Sequence, residues 1–323
     1  WGGAGPCSNS MMMGLPRRRF ITTRVAGGAA ATVGVVFLGV FISPGAAVVA
    51  AATGLAAVTG PDGFANTIAA VKAVGGMARF VPEGSKVIIN ANTAFKHRGS
   101  IVDPGVLLAI LKLCADTGAE EMWLVKGTKD DFWKRCDRAA DYAGLIDSVK
   151  ISEREFMVVE ITDGVALKEA QIDRRLLSAD VYLDVTVAKH HKGCEFTGAL
   201  KNTMGMCPHD PTCRFFHVGN NPDSEDWYPD LNHLSQCVAD LNLVRQPDLC
   251  ILDAGEILTT NGPFGPGKLA NPNAVVASTD IVAIDTHGVR YLGPVSYTHL
   301  RAHETNDLIS YAVFCLKRGG GGG

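Results

Sequence analysis

Apolar runs of strand length alternate with longer segments of helical periodicity between residues 60 and 294. Strands are predicted at residues 86–90, 121–125, 180–188, 248–254 and 274–278. Helices are predicted at residues 64–80, 103–119, 131–144, 231–244 and 280–292, and the first of them either ends at Gly75-Gly76 or continues into Phe80. Strands that alternate with helices form a largely parallel sheet covered on both faces. The pattern therefore predicts an α/β fold with a mostly parallel sheet, helices on both faces and a single domain.

Two of the helices carry capping signals at their first residues. Asp103 precedes Pro104, an N-cap followed by proline in the first turn, and Gly118 closes the same helix. Asp280, in the sequence Ser-Thr-Asp, is predicted to cap the last helix.

Polar segments directly follow three of the predicted strands. They are NANTAFKHRG (90–99), KHHKG (189–193) and GEILTTNGPFG (255–265). Ligands gather at the carboxyl ends of the strands in sheets of this class. The three segments are therefore predicted to meet on one edge of the sheet and to form a ligand site.

A basic and then apolar segment, residues 11–59, precedes this domain. Arg17 and Arg18 are consecutive, and an Ala/Gly/Val-rich run extends from Val25 to about Val58. This order is typical of a twin-arginine export signal, with a cleavage site among small residues near its end. An uncleaved membrane anchor is the alternative, because the run is long enough to span a bilayer. The predicted location is the periplasm or the outer face of the membrane.

Both ends of the chain carry segments that are predicted to be foreign to the native protein. Residues 1–10 precede the first methionine and are predicted to be upstream read-through. The string VSYTHLRAHET, which starts at Val295, looks like a translated sequencing adapter, and five glycines end the chain. Residues 295–323 are therefore predicted to be an artefact. His299 and His303 stand four apart like metal ligands on a helix, but they are assigned no site.

Three motifs in order carry a family resemblance. The most specific is ADVYLDVTVAKHHKGCEFTGALKNTMGM (179–206), supported by VIINAN and DLCILDAGEILTTNGPFGPGK. With them the chain resembles the family catalogued as domain of unknown function 362 (DUF362), particularly its exported members, over residues 62–293. The activity of that family is not established, and some relatives are joined to iron–sulfur ferredoxin modules. The C-x2-C-x2-C run of such a module is absent from this sequence.

The segment after the strand at 180–188 holds the richest chemistry. Lys201 offers a positive charge and Asn202 a donor and an acceptor, at the start of a helix whose free N–H groups favour anions. His190 or His191 is a candidate general base or metal ligand, because imidazole titrates near neutrality. The alternative is a solvated basic loop whose histidines cap or pack. The candidate catalytic residues are His190, His191, Lys201 and Asp253. The candidate ligand-binding residues are Asn92, Lys189, Lys192, Thr197, Asn202, Gly205, Asn261, Gly262, Gly265 and Asp285.

The segment after the strand at 248–254 adds a second group of candidates. Asp253, at the strand end, is a candidate acid, base or metal ligand. Residues Gly262 to Lys268 fit the G-x4-G-K half of a phosphate loop, but Leu269 replaces the required Ser or Thr and two prolines remove backbone donors. The segment is therefore predicted to be a tight glycine-rich loop that contacts a ligand. Asp285 either faces the site or is solvated.

One compact group of cysteines and histidines is a candidate metal site. Cys207, His209, Cys213 and His217 lie within eleven residues, and thiolate and imidazole groups are ligands of transition metals. A disulfide between Cys207 and Cys213 is equally consistent with an oxidising compartment. Both interpretations stay open, ahead of a third in which the thiols are free.

The charge balance and the export signal limit the function classes. The formal net charge is -3 without a Lys/Arg-rich block, which argues against nucleic acid as a partner. The twin-arginine machinery exports folded proteins that often carry a cofactor, which favours a metal ion or an iron–sulfur cluster but leaves the cofactor unknown. The first hypothesis is a redox enzyme linked to such a group, acting on a small anionic substrate with a redox partner protein. The second is a periplasmic binding protein for a carboxylate or phosphate, without turnover.

Overall fold

The computed structural model describes residues 38–43, 46–51, 54–93, 95–129, 131–221 and 223–293. The arginine pair of the predicted export signal, the predicted read-through and the predicted artefact with His299 and His303 lie outside the described residues. Within the described part of the chain, no helix is long and apolar enough to cross a membrane.

Fifteen strands and eight α-helices are assigned within these residues. Strands β1 to β15 are Leu38–Ser43, Ala46–Ala51, Leu55–Thr59, Lys86–Ala91, Glu121–Leu124, Lys150–Ile151, Phe156–Glu160, Glu169–Asp173, Val181–Val187, Lys189–His191, Glu195–Thr197, Leu249–Ala254, Ile257–Leu258, Leu269–Ala270 and Ala274–Ser278. Helices α1 to α8 are Gly63–Ala73, Pro104–Asp116, Ala143–Ser148, Arg174–Ser178, Ala199–Asn202, Arg214–Val218, Leu231–Leu241 and Ile281–Gly288.

Nine of these strands form the main sheet, in the order β1-β2-β3-β15-β12-β9-β4-β5-β6. Strands β12, β9, β4, β5 and β6 pair in parallel. Strand β15 runs antiparallel to both of its neighbours, and β2 is antiparallel to β1 and β3. Seven of the nine strands therefore point the same way, and the predicted mostly parallel α/β sheet is confirmed.

Each face of the sheet has its own hydrophobic core. Val87 and Ile89 of β4 join the core that contains α1 and α2, whereas Ile88 between them joins the core that contains α5, α7 and α8. In β9, Leu183 faces the first core and Tyr182 faces the second. Successive side chains of a strand point to opposite faces, so strands covered on both faces are apolar throughout. This is the reason for the unbroken apolar runs in the sequence.

The two predicted caps are present. The carboxylate of Asp103 accepts a hydrogen bond from the backbone N–H of Gly105 at 2.8 Å, and that of Asp280 accepts one from Val282 at 2.8 Å. Each carboxylate satisfies a backbone donor that the first turn of a helix leaves without an intrahelical partner. The starts of α2 and α8 are thus determined by local sequence.

The folded domain begins earlier than the predicted boundary at residue 60. Leu55–Thr59 forms β3, which pairs with Ala274–Ser278 of β15. Val58, within this strand, is almost completely buried. An alanine- and valine-rich strand buried on both faces has the same composition as the end of an apolar export signal, which explains the misplaced boundary. Strands β1 and β2 also lie within the predicted export segment, and β2 pairs with β3 in the same sheet. The export signal itself stays a prediction.

The predicted helix at residues 131–144 is wrong. The segment forms short 3₁₀ turns at Trp133–Arg135 and Asp137–Tyr142, and α3 starts only at Ala143. No residue of these two turns or of α3 is buried. Most helical stability in proteins comes from packing of an apolar face, and the apolar side chains of this segment, such as Trp133 and Tyr142, are only partly buried.

The order of the strands reverses at one place in the sheet. From β4 the chain adds β5 and β6 on one side, then returns to place β9 and β12 on the other side. The boundary between β4 and β9 is therefore a topological switch point, where the loops that leave neighbouring strands diverge and open a crevice. Polar segments follow both strands at this point, as the sequence predicts.

Candidate functional site

A cleft of about 890 Å³ opens at the carboxyl ends of β4 and β9, over the switch point. Asn90 and Asn92 line it from β4 and the loop that follows, and Lys189 lines it from β10, directly after β9. The loop after β12 adds Asn261 and Gly262, although it lies far away in the sequence. A volume in this range suits a small organic ligand. The three loops therefore meet in this cleft, at one edge of the sheet, as the sequence predicts.

Most of the candidate residues from the sequence line this cleft. The candidate ligand-binding residues among its lining are Asn92, Lys189, Lys192, Thr197, Asn202, Gly205, Asn261, Gly262 and Gly265, joined by His191 and Lys201 from the catalytic candidates. His209, Cys213 and His217 of the candidate metal group also line it. His190, Asp253, Asp285 and Cys207 do not appear among its lining residues.

Four lysines line the cleft. Lys189 is fully buried, Lys201 is half-buried, and Lys126 and Lys192 are exposed. Within the residues that the structure describes, none of the four forms an ion pair with a carboxylate. The ammonium group of Lys201 has only the weakly accepting sulfur of Met204 as a hydrogen-bond partner there, at 3.4 Å. The cleft therefore carries positive charge that the described residues do not neutralise.

Lys189 lies under the surface of the cleft with neutral partners. Its Nζ donates to the backbone oxygen of Ser100 at 2.6 Å and to Oδ1 of Asn92 at 3.4 Å, and it lies 4.0 Å from the ring centre of Phe95. Burial, with a smaller contribution from the nearby Lys201, holds the pKa of Lys189 well below its usual range. Burial therefore disfavours the charged form of Lys189, whereas Lys201, which is half-buried, is the amine that a ligand can reach.

His191 is fixed as a hydrogen-bond donor toward the cleft. Its Nδ1 accepts from the backbone N–H groups of Gly193 at 3.0 Å and Cys194 at 3.2 Å, so the proton of the neutral ring is on Nε2. Burial, followed by the charge of Lys201, keeps the pKa of His191 far below its usual value. A histidine held neutral with a protonated Nε2 donates to an anion. The predicted role of general base or metal ligand does not suit His191 in this tautomer.

Thr197 lines the same cleft, and its hydroxyl oxygen is buried. Its side chain is 4% exposed, and Oγ1 has no hydrogen-bond partner within the described part of the protein. Buried hydroxyl groups are normally hydrogen-bonded, because leaving one unsatisfied costs about 1–3 kcal/mol. The hydroxyl of Thr197 is therefore a donor beside the cleft that no described protein atom satisfies.

Asn202 belongs to a buried polar cluster one layer below the cleft. Its side-chain NH2 donates to the backbone oxygen of Asn90 at 2.9 Å and to Oδ1 of Asp184 at 2.8 Å. Tyr182 and the amide of Asn90 donate to the same oxygen of Asp184. Burial raises the pKa of Asp184 well above its usual range. Asn202 therefore holds the strands β4 and β9 together through Asp184, a residue that sequence reasoning missed because it lies inside a buried strand.

The predicted anion site at the start of the helix that contains Lys201 is wrong. Asp285 of α8 reaches the start of α5 and accepts from the backbone N–H groups of Ala199 at 2.6 Å and Leu200 at 3.0 Å. Asp285 is buried, and burial raises its pKa to about 7. The backbone donors that the sequence assigned to a ligand are thus already bonded. Asp285 neither faces the ligand site nor is solvated.

His190 positions the glycine-rich loop rather than facing the cleft. Its Nδ1 accepts the backbone N–H of Gly262 at 3.1 Å, and the oxygen of Gly262 accepts the N–H of Lys192 at 3.0 Å. A Cβ atom on Gly262 would overlap with the backbone oxygen of His190. Glycine is therefore required here for close backbone approach. The predicted catalytic role of His190 is replaced by a structural one.

Asp253 lines a second depression of about 650 Å³, together with Asp103 and Glu256. It is 2% exposed and accepts from the backbone N–H groups of Asp103 at 2.7 Å and Gly255 at 2.8 Å. Burial, followed by the charge of Asp103, raises its pKa to about 7. The prediction that Asp253 shares a site with Lys201 is not realised, and its contacts assign it to the start of α2.

The pKa of Asp253 predicts a pH dependence of stability. The native protein keeps a proton on Asp253 that the unfolded chain releases above about pH 4, so the free energy of unfolding falls as pH rises toward about 7. A shift from 3.8 to about 7 corresponds to a loss on the order of 4 kcal/mol. We expect Asp253→Asn to flatten this slope in urea unfolding from about pH 5 to about pH 7. Asp147→Asn, at an exposed position, serves as the control. Equal slopes in the two variants would contradict the assignment.

The candidate metal group is not assembled within the described residues. No group of three or more His, Cys, Asp or Glu side chains there is arranged to hold a metal ion. Cys207 and Cys213 are both free thiols, so the alternative disulfide is not formed either. Burial raises the pKa of both thiols, and Cys213 donates to the backbone oxygen of Met204 at 3.4 Å. The physical reason is burial in an apolar setting, which keeps these thiols protonated.

Aromatic side chains that the sequence did not single out line the remainder of the cleft. Phe95 and Phe264 form an edge-to-face pair with ring centres 5.4 Å apart. The ring centre of Tyr228 lies 5.7 Å from that of His191 and 5.8 Å from that of His217. The ring centres of Trp227 and His217 are 5.4 Å apart.

Only some of the residues that were missed carried a signal in the sequence. Lys126 follows β5, so the rule that ligands gather at strand ends could have identified it. Trp227 and Tyr228 follow no strand and carried no such signal.

His217 differs from His191 in its tautomer. Its Nδ1 lies 2.7 Å from the backbone oxygen of Cys213, so the proton is on Nδ1 and Nε2 is an acceptor. Burial, followed by the charge of Lys201, lowers its pKa to about 4. The ring is therefore neutral at physiological pH and acts as part of the aromatic lining.

Comparison with known proteins assigns the family but no activity. Residues 86–290 match the model of the family described as Domain of unknown function (DUF362). No curated protein matches the chain. Among solved structures, the chain is similar to the lactate racemase apoprotein from Thermoanaerobacterium thermosaccharolyticum, with a TM-score of 0.38 and 10% identity. That similarity covers 72% of this chain and 56% of the other, so the chain spans little more than half of the length of that protein.

Proposed function

This chain belongs to the DUF362 family, whose description names no activity, and we propose that its cleft binds a small organic anion through a carboxylate or phosphate group. The observation that carries the proposal is the convergence of Lys201, the Nε2–H of His191 and the unpartnered hydroxyl of Thr197 in one cleft. All three groups donate hydrogen bonds, and carboxylate and phosphate oxygens accept them.

The charge of the cleft supports an anion more than a neutral ligand. Lys201 lowers the pKa of His191, His217 and Lys189, so its positive charge acts on the whole inner part of the cleft. A bound anion would offset this charge in a partly desolvated place, where charge-assisted hydrogen bonds are strongest. Glu225 and Asp226 also line the cleft, but both are exposed and therefore screened by solvent.

We rank the anion-binding hypothesis above the redox-enzyme hypothesis. A metal ion or cluster held by the protein needs several ligands in one place, and the described residues offer no such group. The cationic cleft, in contrast, needs no further component to hold an anion. A redox enzyme with a partner protein stays the second hypothesis, and the predicted export signal would place either activity in the periplasm.

A calorimetric titration of the protein with inorganic phosphate and with succinate tests the proposal. We expect saturable binding of one anion per chain, which weakens as salt is added because the interaction is electrostatic. Elemental analysis of the same preparation provides the second measurement. Absence of saturable binding of both anions would contradict the proposal, and a stoichiometric metal ion that persists after dialysis would return the redox hypothesis to first place.

A further inference from the structure

The cleft has room for much more than one anionic group. A phosphate or carboxylate held by Lys201, His191 and Thr197 fills only a small part of a cleft of about 890 Å³. The rest of the ligand must contact the remaining lining. The chemistry of that lining therefore indicates what the rest of the ligand is.

Two rows of neighbouring aromatic rings line the cleft, and each begins at a basic residue of the cleft. One starts at Lys189, whose Nζ lies 4.0 Å from the ring centre of Phe95, and continues to Phe264 at 5.4 Å. The other starts at His191 and continues through Tyr228. From Tyr228 it passes to His217 at 5.8 Å and then to Trp227 at 5.4 Å. One row of rings thus begins at Lys189 and the other at His191, which is one of the residues proposed to bind the anion.

The ring of Phe264 lines the cleft and is mostly exposed to solvent. Phe264 is 64% exposed, the largest exposure among the exposed large apolar side chains of the described residues. It contacts Phe95 edge to face and leaves its remaining surface open. Trp227 and Tyr228 are half-buried and also border the cleft. Aromatic surfaces that border a pocket favour flat, apolar groups of a ligand.

Three of the four asparagine side chains that line the cleft already donate hydrogen bonds to protein atoms. The NH2 groups of Asn90, Asn202 and Asn261 each donate to protein atoms, the last to the backbone oxygen of Pro266 at 2.7 Å. A ligand rich in hydroxyl groups, such as a sugar phosphate, would need such donors and acceptors to replace its hydration. The available donors are concentrated at the cationic end instead.

We propose that the ligand is an aromatic anion, a planar ring joined to a phosphate or carboxylate group. The anionic group binds Lys201, His191 and Thr197, and the ring packs on the aromatic side chains headed by Phe264 and Trp227. This inference rests on the proposed function, because it requires that the anion bind at Lys201. Stacking tolerates different rings, since every aromatic ring presents a face of the same character.

Titration with three probes tests the inference on the whole chain. The probes are inorganic phosphate, phenyl phosphate and glucose 6-phosphate. We expect phenyl phosphate to bind at least about tenfold more tightly than inorganic phosphate, equivalent to about 1.4 kcal/mol. Phe264→Ala should remove most of this gain without changing the affinity for inorganic phosphate, and it should fold because the side chain is exposed. Trp227→Ala is the second variant, and Met157→Ala, at an exposed position outside the cleft, is the control.

The outcomes separate this inference from the proposed function. If inorganic phosphate binds and phenyl phosphate binds no more tightly, the aromatic ligand class is wrong and the anion site stands. Tighter binding of glucose 6-phosphate than of phenyl phosphate would also overturn the aromatic ligand class. The same conclusion would follow if Phe264→Ala and Trp227→Ala both kept the higher affinity for phenyl phosphate. If neither inorganic phosphate nor phenyl phosphate binds, both proposals fail.

Discussion

Replacing Lys201 by methionine is expected to lower the affinity of the cleft for phosphate by about 100-fold. Methionine keeps the apolar stem of the side chain but removes the charge. A hydrogen bond to a charged group contributes about 1.5–3 kcal/mol, and each 1.4 kcal/mol is about tenfold in affinity. Lys201 has no carboxylate partner within the described residues, so its loss leaves no acidic side chain unpaired. Calorimetric titration of both proteins measures the change.

Two controls separate a local role of Lys201 from a general loss of charge. Lys72→Met, on the exposed surface of α1, removes the same charge far from the cleft and should leave the affinity unchanged. The charge of Lys201 lowers the pKa of His217, so Lys201→Met should raise that pKa above its value of about 4 in an NMR titration. An unchanged phosphate affinity together with a raised pKa of His217 would show that Lys201 lies in the cleft without binding the anion.

Replacing Gly262 by alanine is expected to lower both stability and anion affinity. The added methyl group would overlap with the backbone oxygen of His190, which cannot move without disturbing strand β10. The loop must shift and lose the hydrogen bonds that join Gly262 to His190 and Lys192. Forcing an extra carbon into a packed site costs about 1–3 kcal/mol. Urea unfolding and phosphate titration measure the two effects.

Gly144→Ala is the matched control for this substitution. Gly144 lies in α3, and a Cβ atom there would have no heavy atom within 4 Å. Alanine is favoured over glycine in helices by about 1 kcal/mol, so this variant should be as stable as the wild-type protein or more stable. Equal stability of the two variants would show that the loop tolerates the added carbon, and the required close approach at Gly262 would be refuted.

The candidate site was predictable to the extent that it depends on strand ends. Lys189 and Lys201 were found because they follow a strand that the sequence shows to be buried, and parallel strands bring their carboxyl ends together. Lys126 follows β5 in the same way and was overlooked. Trp227 and Tyr228 were beyond such reasoning, because they reach the cleft from a loop between two helices.

The roles of the polar residues were less predictable than their positions. His190 and His191 are adjacent in the sequence, yet only His191 lines the cleft, because alternate residues of a strand point to opposite sides. The sequence predicted that Asp285 either faces the ligand site or is solvated. The structure shows that its carboxylate instead caps the start of α5, 86 residues away in the sequence. Asp253 and Lys201 were assigned to one site, and the structure places them in two different depressions.

The sequence by itself determined the α/β class, most of the central strands, the caps Asp103 and Asp280, and the edge of the sheet where the cleft lies. These features depend on apolar periodicity and on hydrogen bonds between residues two or three positions apart, so they can be recognised locally. Only the tertiary structure decided which polar groups are free for a ligand. Asn202 is bonded to Asn90 across 112 residues, and the hydroxyl of Thr197 is left without a partner. A hydrogen-bonding group is available to a ligand only when the folded chain has not already satisfied it, and that depends on residues far apart in the sequence.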